Sequence, residues 1–271
     1  MKRKQNKFKK RATNQANNLN NNSLDAKTNN SSSVNNIYTN IYNPPTPRTK
    51  LRGWFHFIFA PIVLISGVAL ICLAPNLNRK IACFIYLICS LLLFEISGIY
   101  HLFNWNKTIK LILRKLDHSN VFLLIAGTYT PWCVSVIAWH GTNQYDNFLD
   151  FFFSGKTLLI LIWTLCLLAM ILHHIFPQTP RLVYVIIYIA LGLVCLIYIP
   201  TILQSSNPYI STIVILMAAG GFFYITGSIF YATKIPGKQA KVFGFHELFH
   251  IFVILGYSCH QIAIWLAIII P

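Results

Sequence analysis

From residue 54 onward the chain is written in apolar blocks separated by short polar stretches. Each block is about as long as a bilayer-spanning helix, roughly 20 residues. WFHFIFAPIVLISGVALICLA opens the series and HELFHIFVILGYSCHQIAIWLAIII closes it. Block length and periodicity predict seven helices, at about 54–74, 81–102, 118–139, 157–176, 182–203, 210–232 and 245–270. The expected fold is all-α, a seven-transmembrane helix bundle occupying residues 51–271.

Residues 1–50 break the pattern. MKRKQNKFKKR is followed by NNLNNNSLDAKTNNSSSVNN, which holds too few apolar residues to bury a core. A disordered, basic, Asn-rich cytoplasmic tail is expected there. It contains no apolar stretch of the kind a cleavable secretion signal needs, so the first spanning helix is expected to double as the targeting signal.

Charge then sets orientation. Short loops rich in Lys and Arg tend to stay in the cytoplasm, and a cytoplasmic N-terminus puts 19 of the 22 Lys and Arg on that side. Only Arg79, Lys80 and Lys156 fall outside. The expectation is N-terminus in and C-terminus out. The net charge of +16 does not point to nucleic acid, because the basic residues are scattered over a tail and short loops and form no stripe on one face. All seven cysteines lie in apolar segments without a C-x-x-C pair, and are read as small core residues. The location implied is a cell membrane, crossed several times and contacting membrane lipids. Sequence offers no sign of oligomeric state, and no internal repeat of the kind common in transporters.

Ionisable groups in a membrane helix are costly and ask for a partner or a task. On the second helix these are Glu95, Ser97 and His101; Asp117 and His118 open the third; His246, Glu247, His250 and His260 lie on the seventh. With alternating topology the second helix ends, and the third and seventh begin, on the inner side, so His101, Asp117, His246 and His250 share one depth. His246 and His250 are four residues apart, about 40° around and 6 Å along a helix, which lets both rings reach one ion. Ser97 and His101 repeat that spacing.

Three neutral imidazoles suit Zn²⁺ and leave a coordination position where water becomes a nucleophile near neutral pH. The metal ligands expected are His101, His246 and His250. Asp117 would orient the water or take its proton, and Ser97 would anchor the water or hydrogen-bond an oxyanion, with the two tasks interchangeable. His260 lies about 21 Å further along the last helix than His246 and belongs elsewhere; it is a polar gap-filler or lines a cavity. His56, His140, His173 and His174, with Trp54 and Trp139, read as interfacial anchors. Glu95 reads as the partner of a buried histidine or hydroxyl. Gly127, Pro131, Gly220 and Gly221 read as points of close helix approach or kinks.

HELFH also satisfies H-E-x-x-H, the zinc-protease pattern in which the glutamate is the general base. No acidic residue follows Glu247, so a third protease ligand would have to come from His101 or Asp117.

EISGIYH, KLDHSNVFLLIAGTYTP and FGFHELFHIFVILGYSCH, in that order, resemble segments of the hemolysin III proteins, the bacterial branch of the adiponectin and progestin receptor superfamily. The resemblance covers about residues 50–270. It implies a zinc site near the cytoplasmic side formed by Ser97, His101, Asp117, His246 and His250. It further implies a ceramidase-type hydrolase of lipid amides. In the receptor branch a glutamine stands at the position of Glu247, which implies that this carboxylate is dispensable for the shared chemistry. The function expected is a zinc-dependent integral-membrane hydrolase of a lipid amide or ester, serving membrane lipid homeostasis. The alternatives are a zinc-clamped receptor, channel or cytolysin, and an intramembrane protease.

Overall fold

A computed structural model describes residues 49–137, 148–176, 178–236 and 240–269. The Asn-rich segment up to residue 48 lies outside the described residues, as do Trp139, His140 and Asp146.

Every regular element among the described residues is helical. The elements are α1 (Trp54–Leu73), α2 (Leu77–Leu102), α3 (Lys107–Ser135), α4 (Phe148–Phe152), α5 (Gly155–Ile175), α6 (Arg181–Leu193), a 3₁₀ turn (Val194–Tyr198), α7 (Ile199–Leu203), α8 (Ile210–Thr233) and α9 (Phe245–Ile269). Several starts are fixed by side chains that accept otherwise unpaired backbone N–H groups. Asn76 accepts from Arg79 N at 3.0 Å, Asn106 from Ile109 N at 2.9 Å and Ser154 from Thr157 N at 3.2 Å.

Six stretches are long and apolar enough to cross a membrane: α1, α2, α5, Arg181–Leu203, α8 and α9. The protein is a multi-pass membrane protein. The helix expected from residue 118 is different from the rest. It begins eleven residues earlier, at Lys107, so Lys107, Lys110, Arg114 and Lys115 sit on helix and not in a loop. Asp117 therefore lies nearly three turns inside α3. Polar and small residues fill its inner half: Ser119, Asn120, Gly127, Thr128 and Thr130 are all buried. α3 packs on α2, α5, α6 and α9; a helix surrounded by protein need not be oily all round.

The stretch expected as one helix over 182–203 is interrupted. Pro200 lacks an N–H, and its ring would clash with the carbonyl of Leu196 in a continuous helix; the backbone tightens into the 3₁₀ turn just before it. Tyr129 on α3 takes up the freed groups. Its hydroxyl accepts from Cys195 N at 2.9 Å and lies 3.0 Å from the carbonyls of both Leu191 and Gly192. Irregular backbone at membrane depth survives where protein supplies such partners.

α1, α2 and α3 pack in sequence, α8 packs along α9, and α9 closes against α1 and α3. Close approach depends on small residues: a Cβ on Gly127 would stand 2.6 Å from Cys89 Cβ, and one on Gly98 would stand 3.0 Å from the backbone of Phe57. Gly220 likewise meets His260, but a Cβ on Gly221 would touch nothing within 4 Å. The cysteines are free thiols; Cys83, Cys89, Cys133 and Cys166 are buried, whereas Cys72 is exposed and is no core residue. Glu95 is exposed as well, so it is not the partner of an interior group.

Candidate metal centre

α2 and α9 bring the three histidines together. His101 is in the last turn of α2, and His246 and His250 occupy one face of the first two turns of α9. One ring nitrogen from each lies within 4.8 Å of the others. His101 Nε2 and His246 Nε2 are 3.0 Å apart. Two imidazoles on one tetrahedral zinc, each bound at 2.0–2.1 Å, would hold their nitrogens roughly 3.3 Å apart, so the spacing fits such an ion with little adjustment. His250 is 1% exposed and His101 8%. Imidazole nitrogens are among the ordinary zinc donors.

Asp117 extends from α3 towards the same place, with Oδ2 3.7 Å from His101 Nε2. Ser97 lies one turn before His101 on the same helix and is 2% exposed. His101, His246, His250 and Asp117 thus come together from three helices, with Ser97 one turn away on α2.

Backbone geometry holds α1 against this cluster. Gly53 precedes α1 with φ +90°, a left-handed conformation in which a side chain would be strained. A Cβ there would also stand 2.8 Å from His101 Cβ. The chain can enter α1 directly over His101 only because this residue is glycine.

His56, in the first turn of α1, is one of the residues that sequence reading misplaced, with His173. It is 2% exposed and is not an interfacial anchor. Its ring stacks on His250, with centroids 3.8 Å apart and planes 7° from parallel, and meets Phe94 edge-on at 5.0 Å. A histidine near a helix start flanked by Trp54 and Phe57 looks like a headgroup anchor in one dimension. The chain folds this turn inward because Gly53 and Gly98 let α1 approach α2. His173 is buried too, against His118 at 5.5 Å and Tyr184 at 4.4 Å. His174 is exposed.

Glu247, the acidic residue of HELFH, faces away from the histidines. Its carboxylate is fully buried, accepts from Gly244 N at 2.8 Å and from Thr49 Oγ1, and lies 3.8 Å from Arg52 Nε. Nearby, Lys50 N donates to Lys241 O at 3.1 Å and Leu51 N to Val242 O at 3.4 Å. The segment before α1 is therefore stitched to the segment before α9, with Glu247 as the knot. Arg181 donates to Tyr231 O at 3.3 Å and lies 4.4 Å from the centroid of that ring, which in turn is 5.9 Å from the His246 ring.

A family model described as "Haemolysin-III related" matches residues 46–261. The "Hemolysin-3 homolog" of Bacillus subtilis (strain 168) is 30% identical over 172 residues, covering 64% of this chain and 70% of the relative. "Hemolysin-3" of Bacillus cereus is 29% identical over 180 residues, 66% of this chain and 71% of the relative. The human "Monocyte to macrophage differentiation factor" is 22% identical over 229 residues, 83% of this chain and 86% of the relative.

Proposed function

This chain belongs to the haemolysin III-related family, and from that premise we propose that it is a zinc-dependent integral-membrane hydrolase cleaving a lipid amide or ester, with a role in membrane lipid homeostasis. The bundle in this reading has seven spans, α3 being the one that hydropathy alone passes over. Its N-terminus is cytoplasmic and its C-terminus outside, with the histidines near the inner leaflet.

The observation that carries the reading is the convergence of three ring nitrogens within 4.8 Å, with a carboxylate 3.7 Å from one of them. Zinc held by His101, His246 and His250 would supply a Lewis acid and lower the pKa of water towards neutrality. Asp117 stands beside those ligands to orient the attacking water and accept its proton, then return that proton to the departing amine or alcohol. Ser97 would anchor that water or hydrogen-bond a developing oxyanion. In this reading the acyl chain enters sideways from the bilayer.

The test is fatty-acid release from a panel of lipid amides and esters by purified, zinc-loaded protein. Turnover that is lost on adding chelator, and lost in His250→Ala, supports the reading. No turnover by the wild type, or turnover indifferent to His250→Ala, counts against it.

A second reading, in which zinc only clamps α2, α3 and α9 together in a receptor, channel or cytolysin, draws on the names of the bacterial relatives. Liposome leakage without lipid turnover would favour it. An intramembrane protease is supported least, because the glutamate that would serve as base is committed to Thr49, Gly244 and Arg52.

A further inference from the structure

A second group of ionisable side chains gathers where α3 meets the turn between α5 and α6. His173, in the last turn of α5, is 8% exposed. Its ring meets Tyr184 of α6 edge-on at 4.4 Å and lies 5.5 Å from the ring of His118 on α3. Arg181 opens α6. α5 and the stretch that begins with α6 are both long and apolar enough to cross a membrane, so the turn joining them lies where a bilayer presents its headgroups.

The charge here is mostly of one sign. Arg114, Lys115 and His174 are the charged or titratable neighbours that act on the His173 ring, and Arg114 and Arg181 act in the same sense on His118. Among the described residues the one carboxylate that acts on either ring is Asp117, which lies 3.7 Å from His101 Nε2. Arg181 is held by groups that carry no formal charge, the carbonyl and the ring of Tyr231. Lys115 makes no ion pair among the described residues. Cations gathered in this way repel one another, and an anion between them turns that repulsion into attraction. An observation independent of charge points the same way. His173 Nδ1 is buried and has no hydrogen-bond partner in the protein, an uncommon condition for such an atom.

These donors select their ligand. A metal cation would be repelled by the lysine and the arginines, and an apolar molecule would answer neither them nor the imidazole. A phosphate presents several anionic acceptors at once, which suits an ammonium, a guanidinium and an imidazole N–H together. No internal cavity is needed, because Lys115 and His174 are exposed and Arg114, His118 and Arg181 are half-buried. Basic residues gathered between spans at a membrane surface are a recurrent seat for anionic lipid headgroups. We propose that Lys115, Arg181 and His173 bind a phosphate anion, carried by a phospholipid headgroup or free, at the surface where α3 meets the α5–α6 turn. The site uses none of His101, His246 and His250, so it stands whether or not those residues hold zinc or hydrolyse lipid.

The test is isothermal titration of the full chain in uncharged detergent, with short-chain phosphatidylglycerol in one arm and inorganic phosphate in the other. Saturable binding of a single molecule is expected, in the lipid arm alone if the headgroup is the source and in both arms if free phosphate suffices. Lys115→Gln changes an exposed side chain and leaves the fold intact; it is expected to weaken that binding about 5-fold, and Lys115→Gln with Arg181→Gln about 25-fold. Lys50→Gln with Lys107→Gln removes as much charge as the double variant from exposed positions outside the cluster, and is expected to change binding by less than about two-fold. Saturable binding in neither arm, or binding unchanged in Lys115→Gln, overturns the assignment. An equal loss in the Lys50 and Lys107 variant overturns it too, since that is diffuse attraction to a basic surface and not a site.

Discussion

The imidazole of His56 lies flat against that of His250, 3.8 Å between centroids and 7° from parallel. This stack joins the first helix to the last at the histidine cluster. It also fixes the plane of the His250 ring, which has no hydrogen-bond partner at Nδ1 to do so.

If the stack matters as a surface, its nitrogens are dispensable. His56→Phe is expected to keep zinc content and melting temperature near wild type, because a phenyl ring covers His250 equally well. His56→Ala removes that surface and is expected to destabilise by about 2–4 kcal/mol, with weaker zinc retention. Thermal melts paired with metal analysis separate the two.

Glu247 ties the chain before α1 to the start of α9. Glu247→Gln keeps an acceptor for Gly244 N but leaves Arg52 without its counter-charge, and is expected to cost about 1–3 kcal/mol while sparing zinc binding and lipid turnover. A protease using this carboxylate as its base would instead be silenced. Denaturation curves and turnover of the same preparation check both halves.

Asp117 lies 3.7 Å from His101 Nε2, beside the three histidines rather than among them. Asp117→Asn is expected to leave zinc content unchanged while lowering kcat about 10²–10⁴-fold, the usual range for losing a general base. Loss of zinc together with activity would instead make Asp117 a ligand.

Two glycines give opposite expectations for one substitution. Gly127→Ala forces a Cβ against Cys89 and is expected to destabilise by about 1–3 kcal/mol. Gly221→Ala meets nothing within 4 Å and is expected to be neutral or to stabilise by up to about 1 kcal/mol through helix propensity. Melting temperatures measured side by side decide.

Much of this arrangement can be read from sequence, for physical reasons that differ by residue. His101, His246 and His250 are legible because i, i+4 spacing and alternating topology both act in one dimension along the membrane normal. His56 is not, since its burial follows from two glycines that draw α1 onto α2, a contact between segments. The start of α3 at Lys107 is hidden because hydropathy counts basic residues as loop, although they extend the helix beyond its apolar part. The break before Pro200 is hidden for another reason: the proline is visible, but not that Tyr129 of another helix accepts the freed N–H. Glu247 is placed by a pattern shared with proteases, yet its direction depends on Thr49 and Arg52, almost 200 residues away in sequence.

Zinc content of the purified chain, measured by elemental analysis after reconstitution and removal of loosely bound metal, tests the central claim most directly. One ion per chain is expected for the wild type, with none retained by His250→Ala. A wild type that takes up no metal, or a His250→Ala variant that keeps it, would contradict a centre built from His101, His246 and His250.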